Sequence, residues 1–136
     1  MAGTVTATST RLAGGVRRTT LAWTSDASGA VSGTSTSLAA GTVVGVAFTP
    51  GSGGTQPTDL YDVTLLCADH SVDALGGEGA NLSNAAATHK QPMVSNAGTS
   101  GFARPWLHPG NYQLVVANAG NAKTGTVEVF QVPGVV

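Results

Sequence analysis

Residues 20–33, TLAWTSDASGAVSG, contain the pattern that decides the fold of this chain. In the first half, Leu21 and Trp23 alternate with small or polar residues, which is the period-two pattern of a strand with one buried face. Small and polar residues follow, and we expect Asp26–Gly29 to turn the chain before a new strand begins at Ala30. The stretch therefore predicts a strand whose tryptophan enters the core, followed by a tight turn.

The same alternation recurs along the chain between clusters of Gly, Pro, Ser and Asn, and helical periodicity is almost absent. The predicted strands are Thr4–Thr10, Val16–Thr24, Ala30–Ser37, Thr42–Thr49, Leu60–Cys67, Val72–Leu75, Phe102–Leu107, Asn111–Asn118 and Thr124–Val132. We expect an all-β chain that forms a single domain over residues 1–136, an antiparallel β-sandwich of jelly-roll type with about eight strands. A closed barrel is the alternative.

The alternation also predicts the core and the connection between the last two strands. The residues expected in the core are Leu21, Trp23, Val44, Val46, Phe48, Val63, Leu65, Leu114, Val116, Val127 and Val129. Residues 118–123, NAGNAK, form a short connection that contains Gly120, which is typical of an antiparallel hairpin. Residues 80–94 fit no clear pattern, and we expect an extended loop there with at most one helical turn.

Charge is scarce in this sequence. Only 10% of the residues are charged and the formal net charge is -1, whereas an average soluble domain has roughly 25% charged residues. Such a chain is poorly protected against association, which favours a protein that works inside an assembly. The balance argues against nucleic acid as a partner. No segment approaches the roughly 20 apolar residues of a membrane span, and the N-terminus lacks a signal-peptide pattern, so we expect no membrane partner either.

No set of residues has the spacing of a catalytic or metal site. His70, His89 and His108 are too far apart in sequence for the usual zinc motifs. The acidic residues between Asp59 and Glu78 lack the spacing of a calcium loop, and no serine lies in a nucleophile motif. Cys67 is expected to be a small buried hydrophobe. The sequence predicts no catalytic residue, no cofactor and no metal, and a protein that is not an enzyme.

Three arginines are candidate contact residues. Arg11, Arg17 and Arg18 are the only charged residues among the first 25, whereas the acidic residues concentrate between positions 26 and 78. Oppositely charged regions can orient a protein on a partner surface. We therefore expect residues 1–18 to form an N-terminal arm or an edge strand whose arginines contact an acidic surface.

The two tryptophans have different sequence settings. Trp23 ends an alternating strand and is expected in the core, with an interface anchor as the alternative. Trp106 lies between Pro105 and Pro109, which cannot donate hydrogen bonds to a sheet. For Trp106, a loop or edge position at a contact surface and a core position are both open. It is the fourth candidate contact residue.

Four stretches carry a resemblance to a known class of proteins. LAWTSDASGAVSG, TPGSGGTQPTDLYDVTLL, GANLSN and NAGNAKTGTVEVF together resemble head cement or decoration proteins of tailed bacteriophages, over most of residues 21–130. The resemblance implies a small β domain that binds the major capsid protein, bridges neighbouring subunits and stabilises the shell after it expands. It also implies a homo-oligomer, with a dimer favoured and a trimer possible. The implied location is the outer capsid surface of the virion, after synthesis in the cytoplasm of the host bacterium.

Two other virion functions remain as alternatives. A surface module that binds a host receptor or a sugar would have aromatic and acidic groups together at loop tips, with Trp106, Asp69 and Asp73 as the first candidates. A tail or connector component would form six-fold rings and have a long projecting hairpin. The short connection at residues 118–123 does not favour a tail component.

Overall fold

The computed structural model describes residues 3–32, 35–68, 71–95, 102–103, 106–107 and 110–132. Its strands are β1 (Thr4–Arg11), β2 (Arg17–Thr24), β3 (Ser35–Leu38), β4 (Gly41–Pro50), β5 (Asp62–Cys67), β6 (Thr88–Lys90), β7 (Val94–Ser95), β8 (Phe102–Ala103), β9 (Trp106–Leu107), β10 (Gly110–Ala117) and β11 (Thr124–Val132). Two short 3₁₀ turns, Ala13–Gly15 and Gly53–Thr55, are the only helical elements in these ranges. The prediction of an all-β chain is confirmed.

The strands form two main sheets, and all strand pairs are antiparallel. The larger sheet has six strands in the order β1-β2-β11-β4-β6, with β9 also paired to β4. The smaller sheet has the order β3-β10-β5. A separate ladder joins β7 and β8. Within the described ranges the strands thus form separate sheets, and they do not close into one barrel.

Side chains from both main sheets meet in one hydrophobic core, which gives a sandwich-like arrangement. Each strand contributes alternate residues, because successive side chains of a strand point to opposite faces. The buried cluster includes Leu21, Trp23, Val43, Val46, Phe48, Val127 and Val129 from the larger sheet, and Leu38, Val63, Leu65, Cys67, Tyr112, Leu114 and Val116 from the smaller one. The buried position predicted for Cys67 is confirmed.

Trp23 is the largest side chain of this core and is 2% exposed. Its ring centroid lies 5.7 Å from that of Tyr61, with the planes inclined at 51°. Directly opposite Trp23 on β11 is Gly125, where an added Cβ would lie 2.5 Å from Cζ2 of the indole. Burial also raises the pKa of Tyr61 to about 12, so its phenol remains neutral in this cluster at ordinary pH. The core position predicted for Trp23 is therefore confirmed.

The hairpin predicted between Asn111–Asn118 and Thr124–Val132 is wrong. β10 pairs with β3 and β5, whereas β11 pairs with β2 and β4 in the other sheet. Residues 118–123 carry the chain from one sheet to the other. Hydrogen bonds hold this crossing against residues 25–30, among them Ser25 N to Lys123 O at 2.8 Å and Ala119 N to Gly29 O at 3.0 Å.

The core position predicted for Val44 is also wrong. Val43 is fully buried, whereas Val44 is only partly buried. On β11, Phe130 pairs with Gly45 but the next residue, Gln131, pairs with Val43, so Val44 is the extra residue of a β-bulge. A bulge shifts the alternation by one position. The core-facing residue is therefore Val43 before the bulge and Val46 and Phe48 after it.

Other boundaries differ from the sequence expectations at short elements. The strand expected over residues 30–37 consists of an isolated bridge at Val31 and then β3. The strand expected over residues 72–75 is a single bridge between Leu66 and Asp73. In residues 80–94, where a loop was expected, β6 adds to the larger sheet beside β4. These short pieces gain their partners from distant strands, which local alternation does not reveal.

Replacing Trp23 with alanine should destabilise the protein by about 3 to 5 kcal/mol, because the indole fills a large part of the core. Urea denaturation of the purified variant would measure the free energy of unfolding. Ala22→Ser on the exposed neighbouring position is the matched control and should change that free energy by less than about 0.5 kcal/mol. A near-neutral Trp23→Ala variant would contradict the core assignment.

The bulge predicts that two adjacent valines differ in their contribution to stability. Val43→Ala removes buried methyl groups and should cost about 2 kcal/mol, whereas Val44→Ala should cost less than about 1 kcal/mol. The two variants can be compared in the same urea titration. Equal losses, or a larger loss for Val44→Ala, would place the extra residue elsewhere in β4.

Candidate interaction surface

Strand β1 is an edge strand of the larger sheet. All eight of its residues pair with β2, and within the described ranges no strand pairs with its other side. Its side chains are exposed on both faces except for Val5, which is partly buried against the core. The strand has no proline, no lysine and no bulge, which are features that commonly protect an edge. Within those ranges, its outward N–H and C=O groups therefore have no strand partner.

The three N-terminal arginines lie on two faces of the same sheet. Arg11 and Arg17 are directly opposite each other on β1 and β2, on the side to which Leu21 also points. Arg18 lies on the other side, where its Nε is 3.6 Å from Oε2 of Glu128. These arginines therefore do not form one continuous basic patch.

The core-facing side of the larger sheet becomes polar towards this corner. Oγ of Ser9 and Oγ1 of Thr19 are 3.0 Å apart. In the next row, Arg11 on β1, Arg17 on β2 and Gln131 on β11 are paired side by side. The sequence predicted the two arginines as contact residues but gave no sign of Gln131. Gln131 comes to lie beside Arg17 only through the pairing of β2 with β11.

The row of Arg11, Arg17 and Gln131 borders a cavity of about 130 Å³. Its other walls come from the turn after β1, from the segment before β4 and from the end of β11: Gly15, Ala40 and Val132. Arg11 is exposed, Arg17 is half-buried and Gln131 is buried. The corner thus combines two cations with a buried amide at an opening to solvent.

The fourth candidate residue, Trp106, begins β9. Its backbone pairs with Thr42 at the start of β4. Its side chain lies outside the part of the chain that the structure describes, so a contact function for Trp106 stays a prediction.

The acidic residues act mainly as acceptors for loop N–H groups. Asp73 accepts from the N–H of Leu65 and of Leu75 through Oδ1 and from that of Gly77 through Oδ2, at 2.9 to 3.1 Å. Asp62 accepts from the N–H of Asn81 at 2.8 Å and from the side-chain amide of Asn118 at 2.9 Å, and Asp59 accepts from the N–H of Asn84 at 3.2 Å. Asp69, the other acidic candidate for a receptor site, lies outside the described residues.

Within the described ranges, no three or more His, Cys, Asp or Glu side chains form a group that could hold a metal ion. In the same ranges, no helix is long and apolar enough to cross a membrane. No family model matches the chain, and no significant match is found among curated proteins or solved structures.

Asp26 organises the turn that follows β2. Its Oδ1 accepts hydrogen bonds from Ala30 N at 3.0 Å, from Ser28 N at 2.8 Å and from the Ser28 hydroxyl at 2.7 Å. The bonds from the Ala30 N–H and then from the Ser28 hydroxyl lower the pKa of Asp26, because they favour the charged carboxylate. The turn predicted at Asp26–Gly29 is confirmed, with Gly29 N donating to Asp26 O at 3.2 Å.

The stability that Asp26 contributes should depend on pH in the acid range. Because its pKa is lower in the folded protein than in the unfolded chain, this stability is present above the unfolded value near 3.8 and is lost as pH falls through the folded value. The difference in unfolding free energy between the wild type and Asp26→Asn should therefore shrink below that pH. Ser28→Ala, which removes one donor, should lose part of the effect. A difference that is constant from about pH 6 to pH 2 would contradict this assignment.

Proposed function

We propose that this chain is a structural virion protein that binds the outer surface of the major capsid protein shell. As a cement or decoration protein, it would stabilise the head by bridging neighbouring capsid subunits. The resemblance over residues 21–130 suggests this function, and edge strand β1 is the observation that carries it. An eight-residue edge strand without proline, lysine or bulge, whose side chains are exposed except for Val5 and whose only charged residue is Arg11 at its end, is suited to contact with another protein.

The proposed mode of attachment is strand addition at β1. A strand of the capsid protein would pair with the outward backbone groups of β1, and main-chain hydrogen bonds would supply the binding energy without special side chains. Each contact can be weak, because many identical sites on a capsid act together. The result would be a more stable shell rather than tight binding to an isolated subunit.

We also propose that the two sheets form a jelly roll. The consecutive strands β2, β3, β4 and β5 belong alternately to the larger and the smaller sheet, and the last strand, β11, lies between β2 and β4. This order is the one expected for interlocked Greek keys. The bridge from Leu66 to Asp73 lies beyond β5, at the position of a fourth strand of the smaller sheet. A jelly roll would leave the N-terminal strand β1 outside the eight-stranded framework.

The proposal includes a homo-oligomer on the capsid, with a dimer favoured over a trimer, and no nucleic acid, membrane or cofactor.

The competing receptor-binding function needs acidic groups that are accessible at loop tips. Asp73, one of its candidates, instead has both carboxylate oxygens engaged by backbone N–H groups. The engaged carboxylate of Asp73 therefore does not support a receptor site at this loop.

Blocking the free edge of β1 should remove the protein from capsids. In an antiparallel ladder, the N–H groups of successive residues point to opposite edges. Of Ala7→Pro and Thr8→Pro, one therefore disrupts pairing with β2 and the other affects mainly the free edge. The variant that keeps near wild-type stability should show clearly reduced occupancy on capsids that lack the protein. Quantitative gel analysis of purified particles would measure this occupancy.

Deletion of residues 2–11 is the second variant, and it should reduce both occupancy and the resistance of the head to low salt. Unchanged occupancy and unchanged resistance would contradict strand addition. Imaging of the particle gives an independent test of the function itself. Many copies regularly spaced on the head would support a cement protein, whereas a few copies at a vertex or on a fibre would support host adhesion.

A further inference from the structure

The corner formed by β1, β2 and β11 has an uncompensated charge. Arg11 and Arg17 face each other across adjacent strands, which lie about 4.8 Å apart. Like charges in directly opposite positions destabilise a sheet. In the part of the chain that the structure describes, neither arginine has an acidic partner, whereas Arg18 on the other face lies beside Glu128. The pair therefore gains stability from any anion that binds between the two side chains.

Gln131, the next residue in the same row, is buried beside the two arginines. Its side chain is 1% exposed, and its Nε2 donates to the carbonyl oxygen of Ala39 at 3.2 Å. Its Oε1 is buried and has no hydrogen-bond partner. The amide of Gln131 therefore forms a fixed polar wall beside the two arginines.

The space beside these three residues is large enough for a small ligand group. The cavity they border measures about 130 Å³, which is several times the roughly 30 Å³ that one water molecule occupies. A Cβ added at Gly15, in the turn between β1 and β2, would meet no atom within 4 Å, so the approach on that side is open. An extended group could therefore enter from solvent.

We propose that this cavity binds an oxyanion, and that its natural ligand is the carboxylate of an acidic segment on the partner protein. Arg11 and Arg17 would hold the carboxylate oxygens through charge-assisted hydrogen bonds. Only the identity of the partner as a capsid protein rests on the proposed function, because the binding chemistry comes from the cavity itself.

The test uses the intact purified protein and two short peptides that differ in one group. Acetyl-Gly-Glu-Gly-amide carries a carboxylate and backbone N–H groups, and acetyl-Gly-Gln-Gly-amide is its neutral control. Each is titrated at constant ionic strength while the Nε–Hε resonances of the arginines are followed by NMR. The glutamate peptide should shift the Arg11 and Arg17 resonances in a saturable way and leave Arg18 unchanged, and the glutamine peptide should produce no saturable shift.

Variants assign the binding to the cavity. Arg11→Gln and Arg17→Gln should each weaken binding of the glutamate peptide by about two- to fivefold, since each removes one charged partner. Arg18→Gln is the matched control on the opposite face and should bind as the wild type does. Equal weakening by all three variants would indicate general charge attraction and would overturn the site.

Inorganic phosphate is the third probe, because a free phosphate offers the same oxyanion chemistry. Saturable binding of phosphate without binding of the glutamate peptide would overturn the carboxylate assignment. Capsid occupancy separates this inference from the proposed function. If the peptide binds as expected but Arg11→Gln and Arg17→Gln leave occupancy unchanged, the site stands and its proposed capsid partner is wrong.

Discussion

The contact between the indole of Trp23 and Gly125 is the constraint on which the larger sheet depends. The two residues are directly opposite on β2 and β11, and only a residue without a side chain leaves room for the ring. A slip of β11 by one residue would bring a threonine against the indole and turn Val127 and Val129 away from the core. The contact therefore favours a single register between the second strand and the last strand. The same register places Gln131 beside Arg17, at the opposite end of these strands.

The charged residues are divided between holding the fold and facing outward. Four aspartates, at positions 26, 59, 62 and 73, accept hydrogen bonds from loop N–H groups and thereby compensate for the scarcity of regular structure in those loops. Glu78 and Glu128 are each paired with a cation, Lys90 and Arg18. Among the described residues, Arg11 and Arg17 are left without an acidic partner. A chain with a net charge of -1 can thus present a basic corner to a partner.

The sequence was sufficient to predict the long strands, the turn at residues 26–29 and most of the core, because these follow from local alternation and turn chemistry. The pairing of the strands could not be predicted in the same way. β10 and β11 would show the same alternation of apolar residues whether they paired with each other or with strands of two different sheets. The partly buried Val44 is the extra residue of a bulge that is visible only against β11. The separation of Arg17 from Arg18 could have been foreseen, because neighbours on a strand point to opposite faces. The position of Gln131 beside them could not, because it requires the pairing of distant strands.

The larger sheet extends beyond the smaller one, and this has a consequence for how such a protein can change over generations. Apart from Val5, no side chain of β1 contributes to the hydrophobic core. Substitutions that keep the pairing of this strand with β2 should therefore have little influence on folding, while each one alters an exposed surface. Under the proposed attachment at β1, the fold and the attachment surface can then evolve almost independently, and the same stable body can be adapted to different partners by mutation of a single strand.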